Sequence, residues 1–145
     1  MPIRVHFRED GGVIAEITGA VRARDLVKMN ESLYETPEHI RAIRYQICDL
    51  TGVTDVDVPS AEMTQLAKQD TQAAASNPNM LIAMVGDRDL TYGLARMWEA
   101  YAAGPGLETM VFRNRAAAEE WIRGKLGEMR PPVEPDASDG VDGGL

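Results

Sequence analysis

The amino-acid sequence predicts an α/β protein with a mixed sheet of about five strands, an N-terminal hairpin followed by parallel strands, and four helices. Three observations predict this class. Apolar and polar residues alternate on both sides of a Gly-Gly turn near the N-terminus, a run of six apolar residues lies at 80–85, and stretches with helical spacing separate the later strands. Strands separated by helices of this length pair in parallel through right-handed crossovers, and the hairpin adds one antiparallel edge.

The first two strands are predicted to form the hairpin. Ile3, Val5 and Phe7 alternate with basic residues and a histidine, which is the pattern of a half-buried strand. Residues 10–12, Asp-Gly-Gly, favour a turn because glycine adopts positive φ without a steric penalty. Residues 13–18 then form the return strand.

An amphipathic helix is predicted after Gly19. Leu26, Met29 and Leu33 fall on one side at helical spacing, and most charged residues of this stretch fall on the other. We expect the helix to end near the Thr-Pro pair at 36–37, because proline cannot continue a helix.

The middle of the chain predicts a strand and a long helix. Residues 42–50 are rich in β-branched and aromatic side chains, and Gly52 bounds this strand. A helix is predicted from about Pro59 to Ser76, since proline fits a first helical turn. The Asn-Pro-Asn sequence at 77–79 ends it.

The last part of the chain predicts two more strand and helix pairs. Residues 80–85 lack alternation, as in a strand covered on both faces. A helix follows with Asp89 as its N-cap and ends at the Gly-Pro-Gly sequence of 104–106. A final strand is predicted at 108–113 and a final helix at 116–126.

Length and composition bound the organisation. A chain of 145 residues has room for one domain, which we place at 1–126. Residues 127–145 are acidic and rich in proline and glycine, so we expect a disordered tail. The single cysteine, Cys48, excludes an intrachain disulfide, and its apolar strand predicts a buried, unreactive thiol.

Charge and hydropathy bound the partners and the location. The net charge of -8 argues against nucleic acid as a partner, because binding to phosphate backbones depends on lysine and arginine. No apolar run reaches the roughly 18 residues of a membrane span, and the N-terminus lacks the apolar core of a leader. The sequence therefore predicts a cytoplasmic protein.

Two motifs carry a family resemblance. Residues 49–53, Asp-Leu-Thr-Gly-Val, resemble the phosphorylation loop of STAS domains, the family of anti-sigma-factor antagonists, although Pro59 aligns with the phosphorylated serine of that family. Residues 87–99, Asp-Arg-Asp-Leu-Thr-Tyr-Gly-Leu-Ala-Arg-Met-Trp-Glu, resemble the SpoIIAA-like subgroup of bacterial proteins. The resemblance covers roughly residues 3–126 and implies a STAS fold, a non-enzymatic regulatory role and kinship with CRAL-TRIO lipid-binding domains.

Acidic residues follow two strands that this topology makes neighbours. Asp49, Asp55 and Asp57 follow one strand, and Asp87 and Asp89 follow the next. Ligands of open α/β sheets bind at the carboxyl ends of the strands, so these carboxylates are candidate binding residues, and several together could hold Mg²⁺. Alternatively Asp57 and Asp89 cap helices while Asp55 and Asp87 are simply solvated.

Four further residues are binding candidates. Thr51 and Ser60 carry hydroxyls near the acidic residues, but a phosphate on Ser60 would meet like charge. Tyr92 and Arg96 lie four positions apart on a helix face, where they can contact each other and a partner or an anion. Otherwise they form ordinary surface contacts.

Three hypotheses of function follow. The first is a non-enzymatic STAS-like interaction module without cofactor, which binds a protein partner or a second copy of itself as a homodimer. The second is a carrier of an apolar small molecule or lipid, held between the sheet and methionine-rich helices. The third is a metal-assisted hydrolase using Asp49, Asp57 and Asp87, for which the two histidines His6 and His39 offer no Ser-His-Asp triad at a meaningful spacing.

Overall fold

The computed structural model describes residues 3–104 and 106–129, which form five strands and five helices. In chain order the elements are β1 (Ile3–Phe7), β2 (Gly12–Arg22), α1 (Ala23–Leu33), α2 (Pro37–Ala42), β3 (Tyr45–Asp57), α3 (Ser60–Ser76), β4 (Met80–Val85), α4 (Asp89–Ala102), β5 (Leu107–Phe112) and α5 (Arg115–Met129).

The five strands form one mixed sheet in the order β1-β2-β3-β4-β5. β1 is antiparallel to β2, and every other neighbouring pair is parallel, as the sequence predicted. Because right-handed crossovers between successive neighbours return on one side, α1 to α4 pack on a single face of the sheet. Of the five described helices, α5 alone packs on the opposite face, through Ala118 and Ile122.

β4 lies between β3 and β5, and both of its faces are buried. Ile82 and Met84 belong to the core beneath α1 to α4, whereas Leu81, Ala83 and Val85 face α5. This two-sided burial explains why the sequence shows no alternation over this strand, and the prediction for it is confirmed.

The hairpin turn between β1 and β2 depends on glycine. The Arg8 N–H donates to the Gly12 carbonyl at 2.8 Å, and the Gly11 N–H donates to the Arg8 carbonyl at 3.1 Å. Gly11 has φ of 91°, a conformation that favours glycine. The Gly12 N–H donates to the Asp10 carboxylate at 3.1 Å, which fixes the turn.

The prediction of four helices was wrong by one, because α2 was missed. The Thr-Pro pair at 36–37 does follow the first helix, but it also begins a second one. The Thr36 side chain accepts the backbone N–H of His39 at 3.1 Å, and Pro37 occupies the first helical position. Proline stops a preceding helix and starts a following one equally well.

β2 and β3 are longer than predicted. β4 accompanies β3 only as far as the pair of Asp49 and Val85, and beyond it residues 18–22 of β2 and 50–57 of β3 pair only with each other. We call these two segments the parallel arm. Its β-branched residues favour extended backbone. The register of β2 with β3 shifts between Glu16 and Thr18, and again after Gly19, whose φ is 71°. The predicted acidic loop is therefore largely a strand.

Three helix ends also differ from prediction. Asp57 is the last residue of β3, and Pro59 holds the N-cap position of α3, so Asp57 is not a helix cap. Arg88 holds the N-cap position of α4, and Asp89 is its first residue. α5 continues past the predicted end to Met129, and the rest of the predicted tail lies outside the described residues. No described helix is long and apolar enough to cross a membrane.

Candidate functional site

The acidic ends of β3 and β4 lie at one edge of the sheet. β3 and β4 are parallel, and Asp49 is paired with Val85, two residues before Asp87. Gly86 lets the chain turn closely onto α4, because a Cβ there would lie 2.6 Å from the Thr91 carbonyl carbon. The expectation that these two strands lie side by side and run in the same direction is confirmed, but β3 continues beyond the end of β4 to Asp57.

Asp49 is not on the open rim of this edge. Its carboxylate is almost fully buried, accepts the Thr51 backbone N–H at 3.0 Å and pairs with the Arg115 guanidinium at 3.0 Å. Arg115 also contacts Glu16 at 3.5 Å and Glu119 at 3.0 Å. Asp49 thus belongs to an ion-pair network that ties α5 to the sheet.

Glu119 is the other strongly held carboxylate of this network. It accepts two hydrogen bonds from the Arg8 guanidinium, at 2.8 and 2.7 Å, as well as the bond from Arg115. Arg8 above all, and Arg115 in addition, lower the pKa of Glu119 to about 2 despite its partial burial. This carboxylate is charged at every physiological pH and serves to position α5.

Asp55 and Asp57 lie on the exposed surface of the parallel arm. The Thr54 hydroxyl donates to the Asp55 carboxylate at 3.3 Å. Ser60 is exposed at the first position of α3, and Thr51 is exposed where the arm begins. The arm therefore carries two acidic side chains beyond the buried Asp49.

Asp89 and Tyr92 are joined by an arginine that sequence analysis did not consider. Arg113, which follows β5, pairs with Asp89 at 3.2 Å, and its guanidinium carbon lies 3.9 Å from the centre of the Tyr92 ring. Arg96 instead approaches Glu99 at 3.9 Å. Tyr92 and Arg96 thus have separate partners, and the contact expected between them is not formed.

Three arginines near this edge were missed. The Arg88 guanidinium donates to the Val53 carbonyl and so links the β4–α4 loop to the parallel arm. Arg113 and Arg115 follow β5, where the rule that was applied to β3 and β4 would have found them. The edge is therefore acidic with inserted arginines rather than purely acidic.

The predicted cation site is not supported by the arrangement of the carboxylates. Asp49 is held by Arg115, Asp57 lies at the far end of the arm and Asp87 is exposed. Within residues 3–104 and 106–129, no three side chains of histidine, cysteine, aspartate or glutamate come together as ligands for a metal ion.

A buried polar cluster lies at a second place, between the sheet and α1, α3 and α4. Asp70 is 5% exposed, and its carboxylate accepts hydrogen bonds from Tyr34 at 2.6 Å, Trp98 at 2.8 Å and Asn30 at 3.3 Å. Gln46 of β3 donates to the Tyr34 hydroxyl at 2.6 Å. Burial raises the pKa of Asp70 to about 6, although its three donors favour the charged form.

This cluster lines a partly open cavity of about 50 Å³ and joins three helices. This cluster was not predicted, but the spacing of α3 contains the signal. Met63, Leu66, Ala67 and Ala73 form the buried side of that helix, and Asp70 falls on the same side. A lone carboxylate on an apolar helix face requires buried donors.

Cys48 lies beside this cluster and is confirmed as a buried residue. Burial, with smaller contributions from Asp70 and Asp49, raises the pKa of its thiol to about 12. Since the thiolate is the reactive form, this cysteine is unreactive in the folded protein.

The comparisons with known proteins identify the fold. No protein-family model and no curated protein matches the chain. Among solved structures, the chain is similar to the anti-sigma factor antagonist SpoIIAA in its unphosphorylated form, with a TM-score of 0.57 and 10% sequence identity over 84% of this chain and 96% of that one. The chain therefore has a STAS-like fold, as its two motifs predicted.

Proposed function

We propose that this chain is a non-enzymatic STAS-like module that binds a protein partner through the carboxyl-end surface of its sheet. This surface combines the arm, the start of α3 and the β4–α4 loop. Its members are Asp55, Asp57, Ser60, Asp87, Asp89 and Leu90, with Tyr92 and Arg96 at its border.

One observation carries the proposal, namely an exposed apolar residue within a fixed acidic rim. Leu90 is 50% exposed on the first turn of α4. In the described part of the chain, Asp55, Asp57 and Asp87 have no cation within ion-pair distance, so their charges are available to a partner. The bond from Arg88 to Val53 holds the arm and the loop together. An apolar contact surrounded by charge is typical of protein interfaces and favours a partner with basic residues.

The resemblance of residues 49–53 to the STAS phosphorylation loop aligns Pro59 with the phosphorylated serine of that family. Pro59 carries no hydroxyl, and the adjacent Ser60 lies between Asp57 and Glu62. A phosphate on Ser60 would meet negative charge on both sides along the chain. We therefore propose that partner binding is independent of phosphorylation at this position.

The test is a pull-down with quantitative mass spectrometry, using the full chain as bait. The variant with Leu90→Asp and Asp87→Lys changes two exposed side chains of the surface, and Tyr101→Asp changes an exposed aromatic elsewhere on α4. We expect a partner that the wild type and Tyr101→Asp retain equally and that the double variant loses by about tenfold or more. Equal retention by all three proteins would contradict the proposal.

A carrier of an apolar small molecule is the second candidate, and one groove favours it. Between the sheet and the helices, where this space was predicted, the described residues line a cavity of about 50 Å³ beside Asp70. A larger groove of about 320 Å³ lies between β1 and α1, at the lower end of the roughly 300–1,000 Å³ typical of ligand pockets. Native mass spectrometry of protein purified from cells tests this candidate, and a mass equal to the bare chain would count against it.

A further inference from the structure

No described strand pairs with the outer edge of β1. The hydrogen bonds of the hairpin show which backbone groups of β1 point towards this edge. β1 pairs only with β2 among the described strands. The Arg8 N–H bonds to Gly12 of β2, and the bonding direction alternates along an antiparallel strand. The backbone N–H and C=O groups of Ile3, Val5 and Phe7 therefore point away from the sheet.

The side chains of the same three residues share the face that α1 covers, and the last of them is poorly covered. Phe7 is 74% exposed, although the alternation of β1 predicted that it would face the core. It lies between the groove of about 320 Å³ and a second groove of about 450 Å³. The first groove is lined by Ile3, Val5, Met29, Leu33, Asp25 and Lys28, together with Phe7 and Ser32.

We propose that β1 pairs antiparallel with β1 of a second copy of this chain, about a two-fold axis through Val5. This register places Ile3 opposite Phe7 of the second copy and Arg4 opposite His6. The outward backbone groups then form about six hydrogen bonds across the axis, two for each bonded pair. The two sheets become one continuous sheet of ten strands.

The groove between β1 and α1 suits the aromatic side chain that this pairing delivers. α1 returns antiparallel to β2 and so runs in the same direction as β1, which places Asp25 at the Ile3 end. Phe7 of the second copy therefore arrives at the Asp25 end of the groove, with Lys28 one helical turn further along α1. The lysine methylene groups can cover the ring while the ammonium group stays in water.

A second copy fits this edge better than an unrelated peptide, because the edge is complementary to itself. Phe7, which carries the exposed ring, lies two residues after Val5. Ile3, at the end of the groove that receives the ring of the second copy, lies two residues before Val5. Each copy therefore donates one ring and receives one, as an isologous interface requires. Asp25 and Lys28 line the same groove with opposite charges, so the groove does not present a single sign of charge to the second copy.

The proposed interface is small, so the dimer should depend on concentration. A pair of short strands with two aromatic anchors lies near or below the roughly 1,200 Å² of the smallest specific interfaces, which predicts a dissociation constant in the micromolar range. Each dimer contains Phe7 twice, so Phe7→Asp should raise the dissociation constant at least about a hundredfold.

Sedimentation velocity tests this from about 1 to about 500 µM, a range that spans micromolar affinity. We expect a monomer–dimer equilibrium for the wild type and for Tyr101→Asp, and a monomer for Phe7→Asp. Val5→Pro should also be monomeric, because it removes an outward N–H that β2 does not use. Circular dichroism and thermal unfolding verify that the variants fold, and Phe7→Asp changes a side chain that is already exposed.

A crosslink tests the register. Opposed residues of a bonded pair have Cα atoms about 5.5 Å apart, which is within the range for a disulfide. Val5→Cys should therefore give a covalent dimer on mild oxidation, whereas Tyr101→Cys should not, and the buried Cys48 does not interfere. A wild type that stays monomeric, a dimer that Phe7→Asp leaves intact, or a Val5→Cys chain that does not crosslink would each overturn the proposal.

Discussion

The buried carboxylate of Asp70 should make the stability of this protein depend on pH in an unusual direction. Its pKa is about 6 in the folded chain, against an ordinary value of 3.8. The folded state therefore binds this proton more tightly than the unfolded state does. The contribution of Asp70 to stability is full below its ordinary pKa and is lost as the pH rises through about 6, the reverse of an exposed, ion-paired carboxylate.

The magnitude follows from the difference between the two pKa values. At about 1.4 kcal/mol for each pKa unit, the shift from 3.8 to about 6 corresponds to about 3 kcal/mol in the free energy of unfolding. About 2 kcal/mol of this should appear between about pH 4 and about pH 7.5, because part of the shift lies below that window. The carboxylate is almost fully buried, so solvent screens this effect little.

Urea unfolding of the wild type and of Asp70→Asn measures this effect. The amide places an N–H group among donors, since Tyr34, Trp98 and Asn30 all donate to the carboxylate, and the variant should be less stable overall. That loss does not change with pH, and other titrating groups cancel in the comparison. We expect the wild type to lose about 2 kcal/mol relative to the variant between about pH 4 and about pH 7.5. Parallel pH profiles would refute the reasoning.

A change to one donor provides a second measurement on the same group. Trp98→Phe removes the N–H that bonds to Asp70 and should raise the pKa of Asp70 further, by about one unit or more, because a hydrogen bond to a charged group contributes about 1.5–3 kcal/mol. Trp121→Phe is the matched control, since Trp121 packs on the opposite face beside Phe112. Carbon-13 NMR of the Asp70 carboxyl group reads the pKa directly. An unchanged or lowered pKa in Trp98→Phe would contradict the assignment.

Three further predictions concern other parts of the fold. Gly86→Ala should destabilise the protein by about 1–3 kcal/mol in thermal unfolding, because the new Cβ meets the backbone of the first turn of α4. Gly93→Ala is the control and should not destabilise the protein, because its Cβ would lie in open space. Equal effects of the two substitutions would contradict this. Cys48 should react with a thiol reagent only as fast as the protein opens, so rapid labelling of the native chain would refute its burial. Glu119→Gln should lower the melting temperature at neutral pH and match the wild type near pH 2. The lowered pKa of Glu119 gives stability that is present above about pH 4.5 and lost as the pH falls through about 2. Equal melting temperatures at neutral pH would contradict this.

Most of the fold was predictable because its signals are local. The apolar run of β4 and the Asp-Gly-Gly turn each specify one structure without reference to distant residues. The parallel arm was not predictable in this way, since Gly52 and its neighbouring aspartates are uncommon in strands, and only pairing with β2 keeps this segment extended. α2 was missed because the Thr-Pro pair at 36–37 is both a stop and a start signal.

The candidate site was predicted in part. The shared edge of β3 and β4 followed from element order, and the exposed Asp55, Asp57 and Asp87 lie along it. The burial of Asp49 was not predictable, because it depends on Arg115, which is distant in sequence and reaches Asp49 only when α5 packs on the sheet. Contacts between elements that are far apart in the chain have no local signal.

The position of α5 has a consequence for the synthesis of this protein. α5 is the last described helix, and it alone covers the face of the sheet that contains Ile14, Tyr45 and Ile47. While the ribosome still holds residues 115–129, the nascent chain can complete its sheet and the layer of α1 to α4, but it leaves this apolar face open to water and to neighbouring chains. A premature stop before α5 should therefore produce aggregation, and a chaperone that shields the unfinished sheet should prevent it.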